Sequence, residues 1–137
     1  MYYLIIMMKY FGPDGQTELE PSEDFIKDIL QNPAEYWLSG SGDSSLQDGL
    51  QGLVFFKDEP YGVFIMQTPD FLSPYKSDIP AEKVYHSIGG APMPVPTCCY
   101  LSEKEAAKTL IDYIKNHTVS GIENWKYIYD IISDDEE

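Results

Sequence analysis

The chain has 137 residues, 43% hydrophobic and 14% aromatic, which is enough for one domain with its own core and too little for two. Nine lysines and no arginine stand against twenty-three Asp and Glu, a formal charge of −14. With no two cations adjacent, binding to DNA or RNA and adhesion to anionic membranes are both disfavoured, whereas a basic protein would be attracted. Acidity of this kind also simply keeps a protein soluble.

Tyr2 to Tyr10 is β-branched, aromatic and apolar and runs into the turn cluster Gly12-Pro13-Asp14-Gly15, which predicts a buried first strand. The same apolar run is too short to span a bilayer and carries neither a cationic lead nor a small-residue cleavage site, so the expected location is the cytoplasm. Ser22 can cap a helix whose first turn holds Glu23 and Asp24 and whose apolar stripe is Phe25, Ile26, Ile29 and Leu30; Pro33 ends it. Residues 39–52, rich in Ser, Gly, Asp and Gln, predict an exposed, mobile loop. Leu53 to Lys57 and Gly62 to Gln67, joined by Asp58-Glu59-Pro60-Tyr61, predict a β-hairpin at the centre of a sheet.

Glu82 to Ile88 alternates apolar and polar positions as a strand does. Ala91-Pro92-Met93-Pro94-Val95-Pro96 is too proline-rich for a central strand and reads as extended connector or sheet edge. Ser102 and Glu105 form a capping box for a helix reaching about Asn116, with Ala106, Ala107, Leu110, Ile111 and Ile114 at helical spacing. Trp125 to Ile132 suits a short strand or irregular packing. The expected fold is a single α+β domain over residues 1–133, a mainly antiparallel sheet carrying two principal helices, with 134–137 as a disordered acidic tail.

Few groupings point to chemistry. Cys98 and Cys99 are adjacent, a spacing that suits neither a disulfide nor a zinc or redox pair, so buried reduced thiols are expected. A thiol enzyme pairing one of them with His86 or His117 is the weakest functional reading. His86 reads as a satisfied sheet residue and His117 as a helix-end cation. No metal or cofactor site is expected: two histidines and two neighbouring cysteines lack zinc spacing, and Ser39 to Ser45 lacks the lysine of a phosphate loop.

Residues 14–59 hold eleven acids against Lys27 and Lys57, interleaved with Tyr36, Trp37 and Tyr61. Aromatic anchors among polar neighbours suit a protein interface, although Tyr36 and Trp37 fit a core equally well. On charge and expected exposure the candidate partner-binding residues are Glu18, Glu20, Glu35, Tyr36, Trp37, Asp43, Asp48, Asp58, Glu59 and Tyr61.

The second half reads Ala91-Pro92-Met93-Pro94-Val95-Pro96, Cys98-Cys99-Tyr100-Leu101-Ser102, Glu105-Ala106-Ala107, Leu110-Ile111, Tyr113-Ile114, a loop, then Glu123-Asn124-Trp125. Over about residues 50–127 this resembles immunity protein family 1 of bacterial polymorphic toxin systems, with a longer loop at 116–121 that lacks the family's proline. The resemblance implies a non-enzymatic α+β protein that binds a cognate secreted toxin domain, often a nucleic-acid-directed deaminase or nuclease, and blocks it inside the cell; a monomer is expected separately. An acidic adaptor for a basic host protein is the competing expectation.

Overall fold

The computed structural model describes residues 7–132. Residues 1–6 and 133–137, hence most of the expected first strand and all of the expected tail, lie outside that range. The elements run, in chain order, β1 (Lys9–Phe11), β2 (Thr17–Leu19), α1 (Glu23–Ile29), α2 (Ala34–Trp37), β3 (Ser44–Gln47), β4 (Gly52–Asp58) and β5 (Gly62–Thr68). There follow β6 (Leu72–Ser73), β7 (Lys83–Ile88), β8 (Ala91–Pro96), β9 (Tyr100–Leu101), α3 (Glu103–Asn116), β10 (Lys126–Tyr127) and α4 (Ile128–Ile132).

Eight strands make one antiparallel sheet in the order β10, β6, β5, β4, β3, β1, β2, with β9 also on β5. β4 and β5 pair over their whole length, from Gly52 opposite Thr68 to Asp58 opposite Gly62, so the expected central hairpin is the spine of the fold. Their apolar content explains the position: Leu53, Phe55, Phe56, Val63, Phe64 and Ile65 are fully buried. Each such side chain contributes about 1.5 to 3 kcal/mol on leaving water.

Phe55 and Phe56 are consecutive and so point to opposite faces of β4. On one face Phe55 meets Tyr10 and Trp37 at centroid distances of 6.1 Å each, and Tyr10 in turn meets Phe25 of α1 edge-on at 5.1 Å. That face carries α1, α2 and α3, the two longer helices α1 and α3 packing on each other. On the other face Phe56 stacks flat on His86, with centroids 3.8 Å apart and planes within 1°. His86 belongs to β7, which among the described residues pairs with β8 alone; this separate two-stranded leaf covers the second face, with α4 against β8. The α+β expectation holds, with the addition of this leaf.

The two longer helices begin where the sequence placed them, whereas residues 125–132, expected as a short strand or irregular, give the two-residue β10 and the short helix α4. Ser22 Oγ accepts the Phe25 N–H at 3.1 Å, and at α3 the capping box closes both ways, Glu105 N–H to Ser102 Oγ at 3.1 Å and Ser102 N–H to Glu105 Oε1 at 2.9 Å. Such caps are worth about 1 kcal/mol each. Lys57 ties three elements: its ammonium donates to Leu30 O at the end of α1 (2.9 Å) and to Glu103 Oε1 at the start of α3 (3.0 Å).

Residues 91–96 form a strand despite Pro92, Pro94 and Pro96. The Thr97 N–H donates to Glu82 O, so odd-numbered residues of β8 direct their N–H groups at β7 and the prolines fall where the N–H would face outward. Proline therefore removes no ladder bond there.

One expectation is overturned. Residues 39–52 are not a mobile loop: Ser44 to Gln47 form β3, whose Leu46 is fully buried between β1 and β4. The stretch before it is pinned from both sides. Ser41 N–H donates to Pro13 O (3.1 Å), while Gly90 N–H and Ser87 Oγ donate to Ser41 O (3.1 Å each). Gly42 has φ +86°, and a Cβ on it would sit 2.4 Å from Ser87 O, so only glycine permits the leaf to approach. Low apolar content here reflects backbone junctions rather than mobility.

Candidate functional site

The sequence-derived partner-binding residues divide into two groups once placed. Asp48, Asp43, Asp58 and Trp37, expected at an exposed surface or open between surface and core, are structural. Asp48 is 5% exposed. Its carboxylate accepts from the Tyr113 hydroxyl, from His117 Nδ1 at 2.9 Å and from Gln51 Nε2 at 3.4 Å, which satisfies it inside the fold. Burial, followed by the hydrogen bond to Asp48 and then the Asp48 charge, raises the pKa of Tyr113 and keeps it a donor.

Asp43 is half-buried and receives the Gly89 N–H at 2.9 Å, fixing the tip of the leaf. Asp58, at the end of β4, accepts from the Tyr100 hydroxyl at 3.0 Å and lies 3.3 Å from His86 Nδ1; burial and then this carboxylate raise the pKa of Tyr100. His86 Nε2 is 2.7 Å from Gly42 O, an atom that only accepts, so that nitrogen carries a hydrogen. Both histidines therefore serve as tie points. Trp37 is 1% exposed, settling it as core, and its indole N–H has no partner among the described residues. Tyr36 is half-buried, its hydroxyl 2.6 Å from that of Tyr10 and 3.1 Å from Gln16 Oε1. Burial raises the pKa of both tyrosines.

Glu18, Glu20, Glu35, Glu59 and Tyr61 are exposed. They surround α2. Glu18 and Glu20 lie on the β2 side, joined to α2 through the Gln16 to Tyr36 hydrogen bond, and Glu59 and Tyr61 form the β4–β5 turn on the other side. Glu20 has φ +52° and turns its carboxylate back onto the Met8 N–H at 2.9 Å, so it closes the open end of the β1–β2 hairpin. Between α2 and the turn opens a cavity of about 360 Å³, lined by Trp37, Leu38, Lys57, Asp58 and Glu59 with residues 31–34 at its head. Leu38 is 70% exposed beside it, an apolar group no sequence pattern marked, because a lone leucine before Ser39-Gly40 belongs to no period.

Most lysines around this surface are engaged within the fold. Lys27 and Lys115 both pair with Glu23, at 3.2 and 3.1 Å, and lower its pKa, Lys115 more strongly. Lys57 is held by Leu30 O and Glu103, with Glu59 at 3.6 Å. Glu18, Asp24, Asp28 and Glu35 have no ion pair among the described residues, although Lys9 stands opposite Leu19 beside Glu18 and Lys27 and Lys104 share a rim with Asp28. A wider cavity of about 720 Å³ runs along α3 beside Trp125, but its rim is mixed, with Lys108 and Lys115 among Glu23, Glu105 and Asp112.

The thiols are poorly placed for chemistry. Cys98 and Cys99 are free and buried, and burial pushes the Cys99 thiol up to about 12, the opposite of an activated nucleophile. No group of His, Cys, Asp and Glu able to hold a metal ion occurs among the described residues, and no helix among them is long and apolar enough to cross a membrane. Comparison with known proteins gave no matching family model, curated relative or solved structure.

Proposed function

We propose that this protein is a stoichiometric inhibitor of a basic protein, acting in the cytoplasm as the immunity partner of a secreted toxin domain directed at nucleic acid. The observation that carries this reading is the set of exposed carboxylates on β2, α1 and α2, Glu18, Asp24, Asp28 and Glu35, none ion-paired among the described residues, with Leu38 70% exposed at the end of α2. A surface so composed speeds capture of a cationic protein and offers apolar contacts that slow its release. A toxin acting on nucleic acid presents a cationic substrate groove, and the carboxylates stand in for the phosphates it normally holds. The sequence resemblance to immunity protein family 1 supports the same reading.

The test is co-expression with the toxin domain encoded next to this gene. Growth should be restored by this protein, a one-to-one complex should form, and its association rate should fall steeply with salt. Growth arrest unrelieved by co-expression, or protection without a complex, sinks the proposal.

A further inference from the structure

The aromatic groups that sequence reasoning singled out, Tyr36 and Trp37, are largely inside. A different set is outside. Phe71, Tyr127 and Tyr129 are 37%, 43% and 41% exposed, and they touch one another: Phe71 to Tyr129 at 6.1 Å and 84°, Tyr127 to Tyr129 at 5.4 Å and 60°. They lie at the β10 edge of the sheet, opposite the β2 edge, where β10 pairs β6 and has no other strand partner among the described residues.

Three features mark this cluster as built rather than incidental. Phe71 has φ +58°, a conformation a bulky side chain rarely adopts and one that costs strain, yet it presents its ring to solvent. Its carbonyl accepts the Ile128 N–H at 2.9 Å, so the strained residue fixes the joint between β10 and α4 that carries the two tyrosines. Rings held in place by backbone lose little freedom on binding, which is the property of an interface anchor. The same edge already holds one cation on a ring, Lys126 Nζ lying 4.8 Å from the centroid of Tyr75.

The surroundings select the occupant. Asp70 precedes Phe71 and Asp130 follows Tyr129, so the cluster is flanked by a carboxylate on each of its two segments. A second copy of a chain carrying −14 would be repelled, whereas an arginine-bearing segment would find ring faces for its guanidinium and carboxylates beside them. We propose that Phe71, Tyr127 and Tyr129 form a docking surface for an arginine-containing segment of a basic protein partner. This rests on the reading of the partner as basic and adds a contact surface separate from α2.

The experiment is titration of the ¹⁵N-labelled full chain with a blocked alternating Arg-Leu hexapeptide, its Lys-Leu and Glu-Leu counterparts serving as controls, in moderate salt. Saturable amide shifts should concentrate at 70–73 and 126–130, with arginine ahead of lysine and no response to the glutamate peptide. Phe71→Gly removes the ring and relieves the positive φ, so it should unfold no more easily than the parent in urea. Both Phe71→Gly and Tyr129→Ala should weaken binding at least about five-fold, the equivalent of a cation–ring contact of about 1 kcal/mol. Saturable binding confined to the α2 flank, or binding indifferent to both variants, overturns the docking surface and leaves the basic-partner reading intact. No saturable binding of either cationic peptide overturns both.

Discussion

His117 Nδ1 lies 2.9 Å from a carboxylate oxygen of Asp48, which is 5% exposed and also holds the Tyr113 hydroxyl. His117 is the left-handed cap of α3, at φ +59°, so this contact ties the end of the longest helix to the strand pair β3–β4. Asp48→Ala strands a buried hydroxyl and an imidazole and is expected to cost about 2 to 4 kcal/mol in urea unfolding. A loss under about 0.5 kcal/mol would show that water replaces the carboxylate. Charge reversal at Asp48 therefore tests folding and is unsuited to testing an interface.

Glu18→Lys with Glu35→Lys asks the interface question cleanly, since both side chains are exposed and lack ion pairs among the described residues. Thermal or urea stability should stay within about 0.5 kcal/mol. Association with the partner should slow several-fold and lose part of its salt dependence. Unaltered association kinetics would remove this flank from the encounter.

Attachment of the β7–β8 leaf depends on two residues that share a junction. Gly42→Ala forces a Cβ toward Ser87 O at an otherwise left-handed position. His86→Ala removes the stack on Phe56 and leaves Gly42 O without its donor. Each should cost about 2 to 3 kcal/mol, and the double variant less than the sum, because both changes detach the same surface. Hydrogen exchange of 83–96 should accelerate before that of β4 and β5.

Acid should destabilise the protein through carboxylates that the fold holds ionised. The Ser120 N–H lowers the pKa of Asp112, the Ser102 N–H and then Lys76 lower that of Glu105, and Lys115 and Lys27 lower that of Glu23. A depressed folded value means that the contribution is complete above the unfolded value of about 4 and disappears as pH falls through the folded one. Stability should be level from about pH 5 to 7 and drop below about pH 4. Asp112→Asn should flatten that drop; an unchanged acid profile would contradict the assignment.

Cys99 works in the opposite direction. Its folded value of about 12 exceeds the unfolded value, so the unfolded chain releases the proton first and stability declines as pH rises above about 8.5. The native protein should resist iodoacetamide and react at both thiols only once unfolded. Rapid alkylation of the folded protein would reopen the reading of a thiol enzyme.

What the sequence made legible was whatever leaves a local, repeated mark. The capping box at Ser102, the apolar stripe of α1 and the long β4–β5 hairpin each span enough residues to be read from spacing. β2 and α2 were not anticipated, because three exposed residues and a four-residue turn of helix are shorter than any period. β3 was hidden for a different reason: it buries Leu46 with Ser44 and Asp48, and those polar groups are satisfied by Phe55 O, Tyr113 and His117 from elsewhere in the chain. The candidate interface was judged by charge, and charge cannot separate Glu18 and Glu35, which face water, from Asp48 and Asp58, which hold other side chains in place.

The order of strands across the sheet has a consequence for biosynthesis. From the β2 edge toward β10, after the initial reversal of β1 and β2, the path β1, β3, β4, β5, β6, β10 follows the chain. A nascent polypeptide leaving the ribosome thus meets, at almost every new strand, a neighbour already made, and short-range closures of this kind are the fast ones. The late arrivals are β9, α3, β10 and α4, of which β9 and α3 seal the spine and β10 completes the ladder at its far edge.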